Sequence, residues 1–362
     1  MNQFAGESGD PSGESAAGSL TAGPDVAPML LSVIVPARHE EDCIGNCLQS
    51  LVAQSDSGFE LGVQWEVLVV DDGSTDRTRA IATGVPGVTV LDAAPLRRGW
   101  TGKANAAWTA AKVARGKWLL FTDADTVHEP GDLEHAMREA GRFGAAMLSY
   151  SPRQLVTGFW QRALMPLVFS ELALAYPPEK VSDPASWLAA ANGQFILIDR
   201  KAYFEVGGHE AVADSLLEDV ALARLVKRRK LGLRFRYAPE ALSARMYRSF
   251  GAMAEGWTKN LALLFGNALF MAAWRLLDVV LIVVLPLLML YFYQPVARIA
   301  FALLWLRTLW RVYSRAAKSN FPAGDCALSV VGIPLFCALL VRSWFHHTIT
   351  HRVVWKGRSY PG

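Results

Sequence analysis

At 362 residues the chain is long enough for two domains, and a net charge of only +3 argues against a nucleic-acid footprint. Hydrophobic residues make up 52% of it and the mean hydropathy is +0.21, high for a wholly soluble enzyme, and the apolar surplus lies after Leu261. Four cysteines are too few for a disulfide scaffold and read as free thiols.

Residues 1–27 are rich in Gly, Ser, Ala and Pro, a composition that cannot bury a core, so a disordered leader is expected. It lacks a basic segment followed by an apolar one, so it is no signal peptide, and the first domain is expected to fold in the cytosol. Short apolar, β-branched runs predict strands at 29–35, 65–70, 88–91 and 117–122. Between and after them, helices are predicted at 40–51, 75–83, 103–114 and 132–141. Strands alternating with helices imply parallel βαβ units, in which ligands bind beyond the carboxyl ends of the strands. Three polar segments fall at such ends: Pro36 to Glu40, Asp71 to Ser74, and Asp123-Ala124-Asp125.

The last of these raises a question of chemistry. Asp-x-Asp arises by chance in a chain of this length, and Asp at a strand end often only starts a turn. On a strand, however, residues two apart point the same way. Two carboxylates aimed together repel unless a cation joins them, and Mg²⁺ or Mn²⁺ suits such oxygens, completed by substrate phosphates. Other chemistries lack their motifs. Gly99 to Ala104 (GWTGKA) is not a Walker A loop, no G-x-G-x-x-G follows the first strand, and His39-Glu40 and His209-Glu210 lack a second His at metalloprotease spacing.

Several motifs stand in a definite order: SVIVPARHEE (32–41), VVDDGSTDRT (69–78), RRGWTGKA (97–104), TDAD (122–125), ANGQF (191–195) and LEDVAL (217–222). Together they resemble the family 2 glycosyltransferases of the GT-A fold over about Leu31 to Asn260. The W-T-G-K loop, the apolar C-terminal part and the closing V-W-K-G-R at 354–358 resemble the carotenoid- and hopanoid-associated members. The implied fold is α/β, a mostly parallel sheet flanked by helices, followed by transmembrane helices. The implied domains are a GT-A unit over 28–260, with an acceptor or interfacial part at about 151–260, and a membrane part over 261–362.

The resemblance further implies a nucleotide-sugar donor, a UDP-sugar. Pro36, Arg38 and Glu40 with Asp71 and Asp72 would hold the uridine, Asp123 the ribose or sugar, and Asp125 with Asp123 the Mg²⁺ or Mn²⁺. Lys103, with Arg97 and Arg98, would add positive charge near the phosphates. Asp219 matches the family's base, and one base opposite the leaving diphosphate implies inversion. Glu218 and Asp219 also suit the start of a helix over 220–230. Asn192, Gly193, Glu218, Arg248 and Trp257 would line the acceptor side. The Gln-x-x-Arg-Trp motif of processive members is missing, which implies transfer of a single sugar rather than polymer synthesis; the leading expectation is one hexose, glucose, moved to a membrane lipid hydroxyl. A polyprenyl phosphate acceptor, or a non-catalytic nucleotide-sugar-binding membrane protein, are the competing readings.

The second half predicts the setting. Residues 158–176 suit either an interfacial or a core helix, with Arg162 and Glu171 as interruptions. Runs at 276–293, 296–310 and 327–345 are candidate spans, and 261–274 a shorter segment, making three or four helices in or on the bilayer. A multi-pass protein of the cell membrane is expected, its catalytic domain facing the cytosol. Charge asymmetry leaves open on which side residues 352–358 lie.

Overall fold

A computed structural model of the protein describes residues 29–55, 57–355 and 357–361; the leader expected over 1–27 lies outside them. In chain order the strands are β1 (Leu31–Ala37), β2 (Trp65–Asp71), β3 (Val88–Asp92), β4 (Trp118–Phe121), β5 (Thr126–His128), β6 (Met147–Ser151), β7 (Arg153–Gln154), β8 (Ile196–Asp199), β9 (Leu233–Tyr237) and β10 (Leu242–Ala244), then a hairpin of β11 (Arg352–Trp355) and β12 (Arg358–Pro361). The helices are α1 (Ile44–Val52), α2 (Thr78–Thr83), α3 (Gly102–Val113), α4 (Asp132–Arg142), α5 (Phe159–Ala175), α6 (Pro178–Ser182), α7 (Arg200–Glu205), α8 (Glu218–Arg228), α9 (Phe250–Phe265), α10 (Ala268–Tyr291), α11 (Pro295–Ala316) and α12 (Ala323–Phe345).

The main sheet runs β3-β2-β1-β4-β8-β6-β9, parallel throughout except for β8, which is antiparallel to both neighbours. Side chains alternate across it as strand geometry requires. Val33, Val35 and Val67 share one core with Ile44 and Leu48 of α1 and Ala136 of α4. Ile34, Leu68 and Val70 face the other way, onto Ala106, Ala107 and Ala110 of α3. A small sheet, β5-β10-β7, lies beside it.

Two expectations change in detail. Helix α2 starts at Thr78 rather than 75, because Asp76 Oδ1 accepts from Thr78 N at 3.1 Å and turns the preceding residues out of the helix. Strand β4 ends at Phe121, so Asp123 and Asp125 sit on the turn into β5 rather than on a strand. Thr126 N and Oγ1 both donate to the Asp123 carbonyl, at 3.2 and 2.8 Å, and close that turn. The turn, not strand alternation, sets where the two carboxylates go.

A third core joins α5, α9, α10 and α12 around Leu164, Val168, Trp257, Phe336 and Leu340. Helix α5 is thus a core helix: residues 163–171 are all buried, and the interfacial alternative fits only its exposed first residues, Phe159 and Trp160. The charges that interrupted its apolar pattern are paired. Arg162 meets Asp325 at 2.5 Å, and Glu171 meets Arg315 at 3.1 Å and Arg275 at 3.7 Å. Asp278, fully buried, takes Arg275 at 2.7 Å and also Arg311. Ion pairs of this kind let charged residues sit between apolar helices, since an unpartnered buried charge is costly.

Among the described residues two helical segments are long and apolar enough to cross a membrane, Ala268–Tyr291 and Ala323–Thr350, within the region where three or four helices in or on the bilayer were expected. The intervening α11 carries Arg298, Arg307, Arg311 and Arg315. Helix α9 absorbs the first part of the short segment expected at 261–274, and α10 the rest.

Candidate active site

The carboxyl ends of β1, β2 and β4 open onto a cavity of about 480 Å³, closed on its far side by α8, α9 and the β11–β12 hairpin. From the β1 end, Pro36, Arg38 and Glu40 line it. Arg38 Nη1 donates to the Asp72 carbonyl at 2.8 Å, tying the β1 and β2 ends together. Asp72 borders the cavity, whereas Asp71 does not. Asp71 is buried behind it, accepts from Ser74 N at 3.2 Å and lies 3.7 Å from Arg79. Register explains the split: consecutive residues leave a strand on opposite faces.

The β4–β5 turn brings Asp123 and Asp125 to the cavity, and the N-terminus of α3 brings Lys103. Lys103 Nζ lies 2.7 Å from Asp123 Oδ1 and 3.0 Å from Glu218 Oε1. Burial alone would depress this ammonium, but Asp123 and Glu218 outweigh it and hold the lysine well above its usual range. Burial raises Asp123, against the pull of Lys103. Glu218 is buried too, yet Lys103 keeps its carboxyl below the ordinary value. The ammonium expected among phosphates thus bridges two carboxylates. Arg97 and Arg98 lie on an exposed loop away from the cavity, Arg97 paired with Glu210 at 3.2 Å.

Asp219 opens α8 and stands beside this cluster. Its Oδ2 accepts from Gly193 N at 2.9 Å and its Oδ1 from Val220 N at 2.8 Å, so two backbone amides orient the carboxylate. Burial, reinforced by the neighbouring Glu218, pushes Asp219 up to about 6. A carboxylate at that value is ionised near neutrality and basic enough to take a proton, which suits general-base work. Gly193 has a steric reason as well: a Cβ there would lie 2.7 Å from Lys103 Nζ. Asn192 also lines the cavity, its Oδ1 accepting from Gln194 N at 3.0 Å.

The donor set admits a divalent ion only in part. Asp125 faces the cavity, with Gln194 Nε2 at 3.4 Å from its Oδ1, while Asp123 is engaged by Lys103. No group of three or more His, Cys, Asp or Glu side chains among the described residues could hold a metal unaided. Two carboxylates fit an ion that arrives with a diphosphate and borrows oxygens from it.

On the α9 side the residues divide by helical face. Ala252, Glu255, Gly256, Lys259 and Asn260 line the cavity, following the three-to-four-residue repeat. Trp257 falls between these and is buried in the helical core against Phe169 and Tyr247, its Nε1 donating to Met165 Sδ at 3.4 Å. It does not reach the acceptor side where the sequence reading put it. Trp257→Ala is therefore predicted to cost about 3–5 kcal/mol of stability, seen as a lower thermal midpoint, with the donor KM unchanged in the folded fraction. Arg248 stays at the rim, paired with Asp42 at 3.2 Å.

Sequence reasoning missed Gln194, Lys259, Trp355, Arg358 and Tyr360, all of which border the cavity. For Lys259 a signal existed in the helical period from Ala252. For Arg358 the only signal was the V-W-K-G-R string, whose position gives no hint that it returns to β2.

The model of the glycosyl transferase family 2 matches residues 32–204, which contain β1, β2, β4 and the Asp123–Asp125 turn. Residues 32–204 form a family 2 glycosyltransferase domain. The chain is a glycosyltransferase, and it resembles the carotenoid-associated members of the family. The 4,4'-diaponeurosporenoate glycosyltransferase of Staphylococcus aureus strain MRSA252 is 28% identical over 351 residues, covering 91% of this chain and 88% of that protein. Its counterpart in strain USA300 is 28% identical over 353 residues. A solved mannosyltransferase from Pyrobaculum calidifontis, in complex with GDP-Man and Mn²⁺, has the same fold with a TM-score of 0.50 at 20% identity, covering 91% of this chain and 92% of that one.

Proposed function

We propose that this glycosyltransferase moves a single hexose, glucose, from a UDP-sugar to a hydroxyl of a membrane lipid, with inversion at the anomeric carbon and dependence on Mg²⁺ or Mn²⁺. The observation that carries the reading is one cavity in which an oriented, pKa-raised Asp219 stands near the Asp123–Asp125 turn. Pro36, Arg38, Glu40 and Asp72 form the nucleoside side of that cavity, and Asn192, Gly193, Glu218 and Arg248 its acceptor side. Asp125, with Asp123, would hold the divalent ion, whose charge offsets that developing on the leaving diphosphate. Asp219 accepts the proton of the acceptor hydroxyl as its oxygen attacks the sugar carbon. Lys103 keeps Glu218 and Asp123 charge-balanced around that base.

The helical half supports a lipid acceptor. Val280, Val283, Leu287 and Leu290 of α10 are exposed large apolar residues, as are Val296, Ile299 and Leu303 of α11. A surface of that kind is suited to lipid, and the staphylococcal relatives are named for a carotenoid acid. We read residues 28–260 as the donor-binding unit and 261–362 as the part that holds it at a membrane, with the catalytic cavity on the cytosolic side. Because the β11–β12 hairpin lies against that cavity, the chain would cross the bilayer an even number of times.

The deciding assay uses lipid-reconstituted protein with UDP- and GDP-sugars, Mn²⁺ or Mg²⁺, and an extract of host lipids. One donor should yield a new glycolipid, lost in Asp125→Ala; donor binding without product on any lipid would count against the transfer proposed here. A binding measurement addresses the ion separately. Mn²⁺ titrated alone, followed by electron paramagnetic resonance, should bind weakly. UDP should tighten it, and Asp125→Ala should remove the tightening; tight binding of Mn²⁺ without nucleotide would contradict the shared-ligand site.

A further inference from the structure

After α12 the chain turns back to the glycosyltransferase domain through the β11–β12 hairpin, in which Trp355 pairs with Arg358. The hairpin is anchored: Val353 is buried, and Lys259 of α9 stacks over the Trp355 ring at 5.4 Å. Arg358 then reaches 286 residues back along the sequence to Asp72. Its Nη2 donates to Asp72 Oδ1 at 3.1 Å and its Nη1 to Oδ2, so both carboxylate oxygens are engaged. Gly102, in the W-T-G-K loop, is matched to this pair, since a Cβ there would overlap the Arg358 guanidinium and the Asp72 carboxylate. Trp355 and Tyr360 border the same cavity.

This arrangement creates a conflict that the nucleotide-sugar reading must resolve. Asp72 was assigned to the nucleoside, yet a bidentate guanidinium covers both of its oxygens. A planar guanidinium also matches a phosphate with the same two-pronged geometry. We propose that Arg358 is a donor-binding residue: it exchanges Asp72 for the diphosphate of the nucleotide sugar, and the exchange releases Asp72 to the nucleoside. The hairpin that follows the last long helix is then a wall of the donor site, and membrane anchoring and donor binding are mechanically joined. This proposal rests on the nucleotide-sugar reading above.

Titration of the full-length, lipid-reconstituted protein tests it, using UDP, GDP, uridine and guanosine in the presence of Mn²⁺, with nucleosides measured by competition. For whichever diphosphate the wild type binds, Arg358→Ala should weaken binding about 10–100-fold, the worth of a charge-assisted hydrogen-bonded pair. The matching nucleoside should bind at least as well as before. Arg358→Lys should fall between, and it carries the test if the alanine variant does not fold. Equal weakening of nucleoside and diphosphate would overturn the proposal, reducing the Asp72 pair to a structural clasp, and so would no change in either. A wild type that binds neither UDP nor GDP would instead defeat the donor reading, and this proposal with it; intact wild-type binding with an indifferent Arg358→Ala defeats only the role of Arg358.

Discussion

Asp219→Asn is expected to lower kcat by about 10²–10⁴-fold, the usual worth of a positioned base, with little change in the donor KM. The substitution keeps the shape of the side chain, and its single Oδ1 can accept from one of the two amides that orient Asp219, Gly193 N or Val220 N, so basicity is removed with part of the orientation kept. The wild-type profile of kcat/KM against pH carries the second half of this expectation. With Asp219 at about 6, the base is protonated and idle below that value and ionised above it. Activity should therefore rise with pH through about 6 and level off above it, and the variant's residual activity should lack that limb. A variant that keeps most of its turnover would point to an acceptor already ionised, a lipid phosphate, and would sink the hydroxyl acceptor.

Lys103→Met should move the same limb in a definite direction. The ammonium lowers the pKa of Asp219, so removing it leaves Asp219 beside Glu218 and Asp123 with Lys259 of α9 as the remaining lysine that acts on this cluster. The limb should shift to higher pH, the direction expected when an opposite charge is lost. Activity at pH 7 falls in consequence, and raising the pH should restore part of it. That recovery separates a lost counter-charge from a lost donor contact. A uniform fall in rate at all pH values, with a raised donor KM, would mean that Lys103 serves the phosphates directly and that its bridge between carboxylates is incidental.

Both expectations rest on a site whose parts were unequally visible in the sequence. Asp123, Asp125, Asn192, Gly193, Glu218 and Asp219 stood in short motifs whose order could be read directly, and all line the cavity. Asp123 and Asp125 follow a strand marked by its apolar run, whereas Asn192, Gly193, Glu218 and Asp219 were assigned through the family resemblance of their short motifs. Asp71 and Trp257 stood in similar motifs and fall outside the cavity. For Asp71 the next residue, Asp72, has the position that borders the cavity, and for Trp257 the helical face turns it into the core. The ion partners were not visible at all. Lys103 with Glu218, Glu171 with Arg315, and Arg358 with Asp72 join positions more than a hundred residues apart.

The sequence by itself determined the α/β class, strands β1 to β4, most helix positions, the family resemblance and the motif carboxylates, because hydrophobic periodicity and turn chemistry act over a few residues; β5 to β12 were not predicted. Only the tertiary structure decided that α5 is a core helix, that Lys103 bridges Asp123 and Glu218, and that β11–β12 returns to the β2 end. Those outcomes depend on how buried charges find partners and how helices pack, and such energies involve residues distant along the chain.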